Sequence, residues 1–258
     1  MIIYSIANQK GGVVKSTTAL NLAAALYERG KKVLLIDMDP QSNLSSLAGA
    51  TTDADQKDIV TMLEVLTQEA TLSDGIQQKK KFDIVPASMF LASIDGRLLD
   101  QVSRPFKLRE ALKTVSKKYD YAIVDCPPAL GTLTTNATIA SNYILIPAQA
   151  DVLSLQGVSQ LYSTIETSRE YCNPNLKIAG LLLTRFTDRT RLSKDMAALF
   201  NSAASQMATK LFKQRIHESV SIREAQAKGK DIFDYDPKSK VAADYLALAE
   251  EIFGKEEK

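Results

Sequence analysis

Three short stretches carry residue types that together can handle phosphate. The first, Asn8-Gln9-Lys10-Gly11-Gly12-Val13-Val14-Lys15-Ser16-Thr17-Thr18, follows an apolar run and opens a helical pattern. A glycine-containing loop between strand and helix turns successive backbone N–H groups and the helix N-terminus toward an anion. In that setting Gly11, Gly12, Val13 and Val14 offer backbone to a nucleotide. Lys15 reaches its β- and γ-phosphates, Ser16 gives its hydroxyl to Mg²⁺, and Thr17 bonds the α-phosphate. The second stretch, Leu34-Leu35-Ile36-Asp37-Met38-Asp39-Pro40-Gln41, places two carboxylates at the end of an apolar run. Asp39 is the candidate for orienting an attacking water, and Asp37 reads as a cap or a support for it. The third, Tyr121-Ala122-Ile123-Val124-Asp125-Cys126-Pro127-Pro128, ends in an aspartate suited to holding Mg²⁺ directly or through water, with Cys126 read as a small buried residue.

Strands and helices must position these groups. Apolar runs at Ile2 to Ala7, Lys32 to Met38, Phe82 to Pro86, Tyr121 to Asp125, Tyr143 to Pro147 and Ile178 to Thr184 are short and continuous. They read as strands buried on both faces. Helical periods lie between them: Leu20, Ala23, Ala24 and Tyr27 share one face, as do Leu155, Val158, Leu161, Tyr162 and Ile165. The alternation predicts an α/β fold with a doubly wound, mostly parallel sheet and helices on both faces, its ligand at the carboxyl ends of the strands. With no internal repeat or linker, residues 1–258 read as one domain. The segment from Ala48 to Lys81, with Thr51-Thr52-Asp53-Ala54-Asp55-Gln56, a weak pattern through Ile59, Leu63 and Leu66, and Lys79-Lys80-Lys81, reads as a solvated excursion or a partner-binding insertion.

Composition narrows the chemistry. The chain has 258 residues, 45% hydrophobic and 24% charged, which fits a globular protein and excludes a disordered or collagen-like one. One histidine, His217, argues against histidine triads and multi-histidine metal centres, and two cysteines, Cys126 and Cys172, against a disulfide framework. No run suits a membrane span, and the first residues lack an export signal, so a cytoplasmic protein is expected.

The phosphate loop resembles the deviant Walker A motif, K-G-G-x-G-K-[ST]-[ST], of the ParA/MinD ATPases. The likeness continues through D-x-D-P-Q at Asp37–Gln41, D-x-P-P at Asp125–Pro128, and E-A-x-x-x-G and Y-x-P-x-S elements at Glu224–Gly229 and Tyr235–Ser239. It implies a P-loop ATPase using ATP and Mg²⁺, with Lys10 reaching the partner's phosphates in a nucleotide-dependent homodimer. It also implies a γ-phosphate-sensing switch at Ala129-Leu130-Gly131 and base contacts near Arg185 and His217, although the family commonly has proline where His217 stands. The family also has glycine where this chain has Val14. Glycine lets backbone approach phosphate and adopt a conformation that β-branched residues resist. Val14 is therefore expected to weaken nucleotide binding or block hydrolysis, unless the loop adapts.

Net charge is +2, but it is unevenly spread. Residues 177–240 hold 13 Lys and Arg against 7 Asp and Glu, whereas 1–176 and 241–258 are net −1 and −3. Arg189, Arg191, Arg223, Lys228, Lys230, Lys238 and Lys240 are the candidates for contacting DNA phosphates without reading sequence. By resemblance, the expected role is that of a ParA-type partitioning ATPase. Its ATP dimer binds nucleoid DNA and is released when a ParB-like centromere-binding protein stimulates hydrolysis. The alternative is a MinD-like or other cargo-positioning ATPase, but the acidic end Glu250-Glu251-Ile252-Phe253-Gly254-Lys255-Glu256-Glu257-Lys258 does not suit anionic lipid. An iron–sulfur electron-transfer ATPase lacks suitably placed cysteines, and a metabolic P-loop synthetase would need a substrate site the sequence does not advertise.

Overall fold

All six apolar runs form strands. In the computed structural model, which describes residues 1–53, 56 and 58–254, they are β1 (Ile2–Ile6), β2 (Val33–Asp37), β4 (Asp83–Val85), β5 (Tyr121–Asp125), β6 (Tyr143–Ala148) and β7 (Lys177–Leu183). A two-residue strand, β3 (Gln77–Gln78), pairs antiparallel at the edge. The sheet order is β3-β4-β2-β5-β1-β6-β7, and every other pairing is parallel. Ala54, Asp55, Lys57 and residues 255–258 lie outside the described residues, and with them part of the polar run and of the acidic end.

Alternate residues feed two cores, as a period of two requires. Leu34, Ile36, Ala122, Val124, Ile144 and Ile146 belong to one, beneath helices Met62–Thr67, Lys107–Val115, Thr132–Ala140, Val152–Tyr171 and Arg191–Gln206. Val33, Leu35, Ile123 and Leu145 belong to the other, beneath helices Lys15–Tyr27, Val220–Ala227 and Lys240–Phe253. At the second face, Tyr4 stacks on Tyr143 with ring centroids 4.9 Å apart, and Phe253 stands edge-on to Tyr4 and Tyr121 at 5.3 and 5.1 Å. These rings fasten the last helix to three central strands.

The segment between Ala48 and Lys81 is not a solvated excursion. Helix Met62–Thr67 buries Met62, Leu63, Val65 and Leu66, and its start is closed by a capping box in which Thr61 and Glu64 satisfy each other's backbone N–H groups. Thr52 is buried as well. Of the three lysines, Lys81 points inward: its ammonium lies 3.0 Å from Asp231, 2.9 Å from Asp234 and 3.5 Å from Glu28. Burial pulls the Lys81 pKa down, but hydrogen bonds to Asp234 and Asp231 outweigh it and leave the pKa raised. Asp231 is itself the cap of helix Ile232–Tyr235, so this pair ties the β4 edge to the carboxyl-terminal helices. Lys81→Met leaves Asp231 buried without its counterion. The expected loss is about 3 kcal/mol in a urea unfolding experiment, against little change for Lys80→Met on the exposed side of the same run.

Candidate functional site

The phosphate loop leaves β1 at the centre of the sheet, where β5 and β6 flank it, and enters helix Lys15–Tyr27. Val14 is the cap of that helix and adopts φ 67° and ψ 31°, the left-handed region. A residue with a Cβ spends about 1–2 kcal/mol there, and β-branching makes valine among the least suited. The surroundings hold the loop in place. The Val14 carbonyl accepts from the Thr18 N–H at 2.9 Å, the Val13 carbonyl from the Thr184 hydroxyl at 3.2 Å, and the Gly12 carbonyl from the Gln149 amide at 3.1 Å.

Above the loop lies a cavity of about 620 Å³, within the range for a nucleotide-sized ligand. Gly11, Gly12, Val14, Lys15, Ser16, Thr17 and Asp39 line its phosphate end; Val13 is buried behind the loop. Lys15 is 7% exposed and donates to the Lys10 carbonyl at 3.3 Å. Burial lowers its pKa, while the charges of Asp125 and Asp39 act to raise it. Asp125 is fully buried, and among the described residues neither of its carboxylate oxygens has a hydrogen-bond partner of good geometry. Burial pushes its pKa well up and the neighbouring Asp37 adds to this, against the Ser16 hydroxyl and Lys15. Such an orphaned carboxylate is costly unless a cation joins it.

Asp37 and Asp39 divide their work. The Asp37 carboxylate accepts from the Asp39 N–H at 3.0 Å and from the Ser45 N–H and hydroxyl at 2.8 and 2.7 Å, and burial pushes its pKa up to about 6. It shapes the turn into helix Asn43–Leu47, whereas Asp39 accepts from the Gln41 N–H and faces the cavity.

Lys10 does not reach this cavity. Its ammonium lies 2.5 Å from Asp151 and 3.4 Å from the Gln149 side chain, on the β6 side of the loop. The opposite end of the cavity is built from Arg185, Ile216, His217, Glu218, Arg223, Gln226 and Tyr245, among others. Arg185 forks onto Glu218 at 2.8 and 3.1 Å. Both ring nitrogens of His217 already face carboxylates, Asp244 at 2.8 Å and Asp188 at 2.9 Å, so the ring has no free nitrogen for proton transfer. Sequence reasoning missed Gln226, whose amide donates to the Thr17 hydroxyl, although it sits in the Glu224-Ala225-Gln226 element already singled out. It also missed Asp151 and Gly157, which no local motif marks.

The basic candidates are split. Arg223 lines the cavity, while Arg189, Arg191, Lys228, Lys230, Lys238 and Lys240 are exposed outside it. Lys240 lies 3.8 Å from Asp188, bringing its segment beside the Arg189–Arg191 turn, and Lys228 covers the Tyr235 ring at 4.8 Å.

A family model described as an AAA domain matches residues 1–178. The chain is 40% identical over 252 residues to the sporulation initiation inhibitor protein Soj of Bacillus subtilis, covering 97% of each. It is 38% identical to the chromosome partitioning protein ParA of Myxococcus xanthus, covering 97% of this chain and 87% of that protein. The chain belongs to the ParA/MinD family of P-loop ATPases. Among solved structures, cobyrinic acid a,c-diamide synthase of Mycobacterium smegmatis with bound ADP and magnesium superposes with a TM-score of 0.83 at 32% identity, over 97% of this chain and 93% of that one.

Two substitutions probe the loop. Val14→Gly removes the left-handed strain at the cost of a looser unfolded chain, so a net gain of about 1 kcal/mol is expected in urea unfolding. In helix Val152–Tyr171, a Cβ on Gly157 would stand 2.8 Å from the Asn8 Oδ1 that accepts the Lys10 N–H. Gly157→Ala should therefore displace the loop and weaken ADP binding, measured by calorimetry, by roughly ten-fold, the loss of about one loop hydrogen bond.

Proposed function

We propose that this chain is a ParA-type partitioning ATPase, with residues 1–258 acting as one ATPase domain. ATP-loaded copies pair, the pair binds DNA without reading its sequence, and hydrolysis stimulated by a ParB-like protein releases it at the nucleoid. The observation that carries the reading is the cavity over the phosphate loop, with Lys15, Ser16, Thr17 and Asp39 at one end and the partnerless Asp125 carboxylate at the end of the adjacent strand. That carboxylate fits a divalent cation, which Ser16 and Asp125 would hold and which would neutralise charge on the transferring phosphoryl group. Lys15 binds and orients the phosphates, Asp39 holds the attacking water, and Arg185 and His217 lie at the base end.

Lys10 serves in this reading as the residue that crosses to the partner's phosphates, in keeping with its position outside its own cavity. Val14 weakens nucleotide binding or holds the loop in a form that does not hydrolyse, because its side chain adds bulk and strain where backbone must meet phosphate. The helix Lys240–Phe253 offers no apolar face to a membrane surface, since its apolar side (Val241, Tyr245, Leu248, Ala249) is already buried. No described helix is long and apolar enough to cross a membrane.

DNA binding tests this reading, measured at low and physiological salt with no nucleotide, ADP or ATP, for this chain and for Val14→Gly. ATP-dependent, salt-sensitive binding by the glycine form is the expected result. Liposome binding without DNA binding would sink the proposal, and equal ATP affinity and turnover in the two forms would remove the role given to Val14. Because Arg223 borders the nucleotide, Arg191→Ala is the cleaner probe of the basic surface. It should weaken binding to unrelated sequences alike and flatten the salt slope by about one unit, with ATP affinity unchanged.

A further inference from the structure

The opposite end of the sheet holds a second cavity, of about 600 Å³. It opens at the amino ends of β2, β4 and β5, one strand length or about 15 Å from the phosphate loop. Three chain segments deliver lysines to its wall: Lys31 and Lys32 before β2, Lys79 and Lys80 before β4, and Lys118 before β5. Lys81 also borders it, but its charge is spent on Asp231, Asp234 and Glu28. One carboxylate, Asp83, lines the cavity, and it accepts a hydrogen bond from the Tyr119 hydroxyl at 2.6 Å. Among the described residues, nothing accepts a hydrogen bond or forms an ion pair with the ammonium groups of Lys32, Lys80 or Lys118, all exposed. Lys79 spends one donor on the Gly49 carbonyl at 2.6 Å.

Like charges gathered round a concavity repel one another and concentrate positive potential inside it. The ammonium groups of Lys32, Lys79, Lys80 and Lys118 against one carboxylate leave a surplus of three charges. Two phosphate monoesters, at roughly −1.5 to −2 each, match that surplus. The walls are not only charged: Val33, Ile76 and Phe82 supply apolar surface, and Tyr27 and Tyr119 add rings beside it. Apolar and aromatic lining with a few converging polar groups is the make-up of a small-ligand site, and a bowl of this volume suits a compact molecule better than the convex backbone of a duplex.

We propose that this cavity binds a small organic ligand carrying at least two phosphate groups, separately from the nucleotide at the phosphate loop. The site owes nothing to the partitioning role and stands or falls independently of it.

The test is a titration of the ¹⁵N-labelled chain, in excess Mg·ADP, with inorganic pyrophosphate, with adenosine 3′,5′-bisphosphate and with a short DNA duplex. The expected result is saturable shifts of the Lys32, Lys80 and Lys118 amides with the bisphosphate, and weaker ones with pyrophosphate. The double substitution Lys80→Glu, Lys118→Glu should lower bisphosphate affinity about a hundred-fold, two charge-assisted contacts at roughly ten-fold each. Lys118→Arg should retain it, and thermal unfolding should stay within a few degrees in both variants. Absence of saturable shifts with either small probe overturns the proposal, as do shifts that survive the double substitution. A response of these amides to the duplex alone also overturns it and makes this face a nucleic-acid surface.

Discussion

An ammonium group and two carboxylates stand almost out of water at the heart of this protein. Lys15 follows the loop from β1, Asp125 ends β5 and Asp37 ends β2, the three strands being neighbours in the sheet. Charges in such a place are tolerated only when each finds a partner or a ligand. Asp37 finds it within the chain, in three donors from the turn it organises. Among the described residues Asp125 finds no hydrogen-bond partner, so of two carboxylates at neighbouring strand ends one is satisfied by the chain and the other is left open to a cation. The parallel strands enforce the arrangement, because their carboxyl ends converge where the helix that follows β1 begins.

The fold was readable because the sheet is covered on both faces. A strand buried on two sides is apolar at nearly every position, Ser5 of β1 and the closing aspartates of β2 and β5 being the polar exceptions, which made β1, β2, β5 and β6 stand out as runs. β3, two glutamines at an edge, satisfies no such demand and left no trace. The helix at Met62–Thr67 was misread as solvated because six residues give periodicity little to work on, though the Thr61-x-x-Glu64 capping pair was there to be read. In the site, the residues proposed for phosphate chemistry lie in contiguous motifs, and the fold brings Gly11, Gly12, Val14, Lys15, Ser16, Thr17 and Asp39 to one cavity. Asp151, Gly157 and Gln226 act across 141, 149 and 209 positions of sequence on Lys10, Asn8 and Thr17, and no local pattern encodes a contact of that span.

Charge shows the same limit of linear reading. Counting along the chain located a surplus in residues 177–240 and described the first 176 as nearly neutral. Folding redistributes those early charges: acidic residues are drawn into caps and pairs, and lysines from three separated segments meet at one end of the sheet. Within one lysine triplet, Lys81 became an interior strut and Lys80 stayed in solvent.

The aromatic cluster at Tyr4, Tyr121, Tyr143 and Phe253 gives the molecule an optical property of its own. The chain has no tryptophan, so its near-ultraviolet signal comes chiefly from nine tyrosines, and three of them share this one assembly. Docking of the last helix against the central strands is thereby written into the circular dichroism of the native protein. Fraying of that helix at Phe253, about two turns beyond the Tyr245 that lines the nucleotide cavity, would change the spectrum before the cavity is disturbed, so the two events can be followed separately without any label.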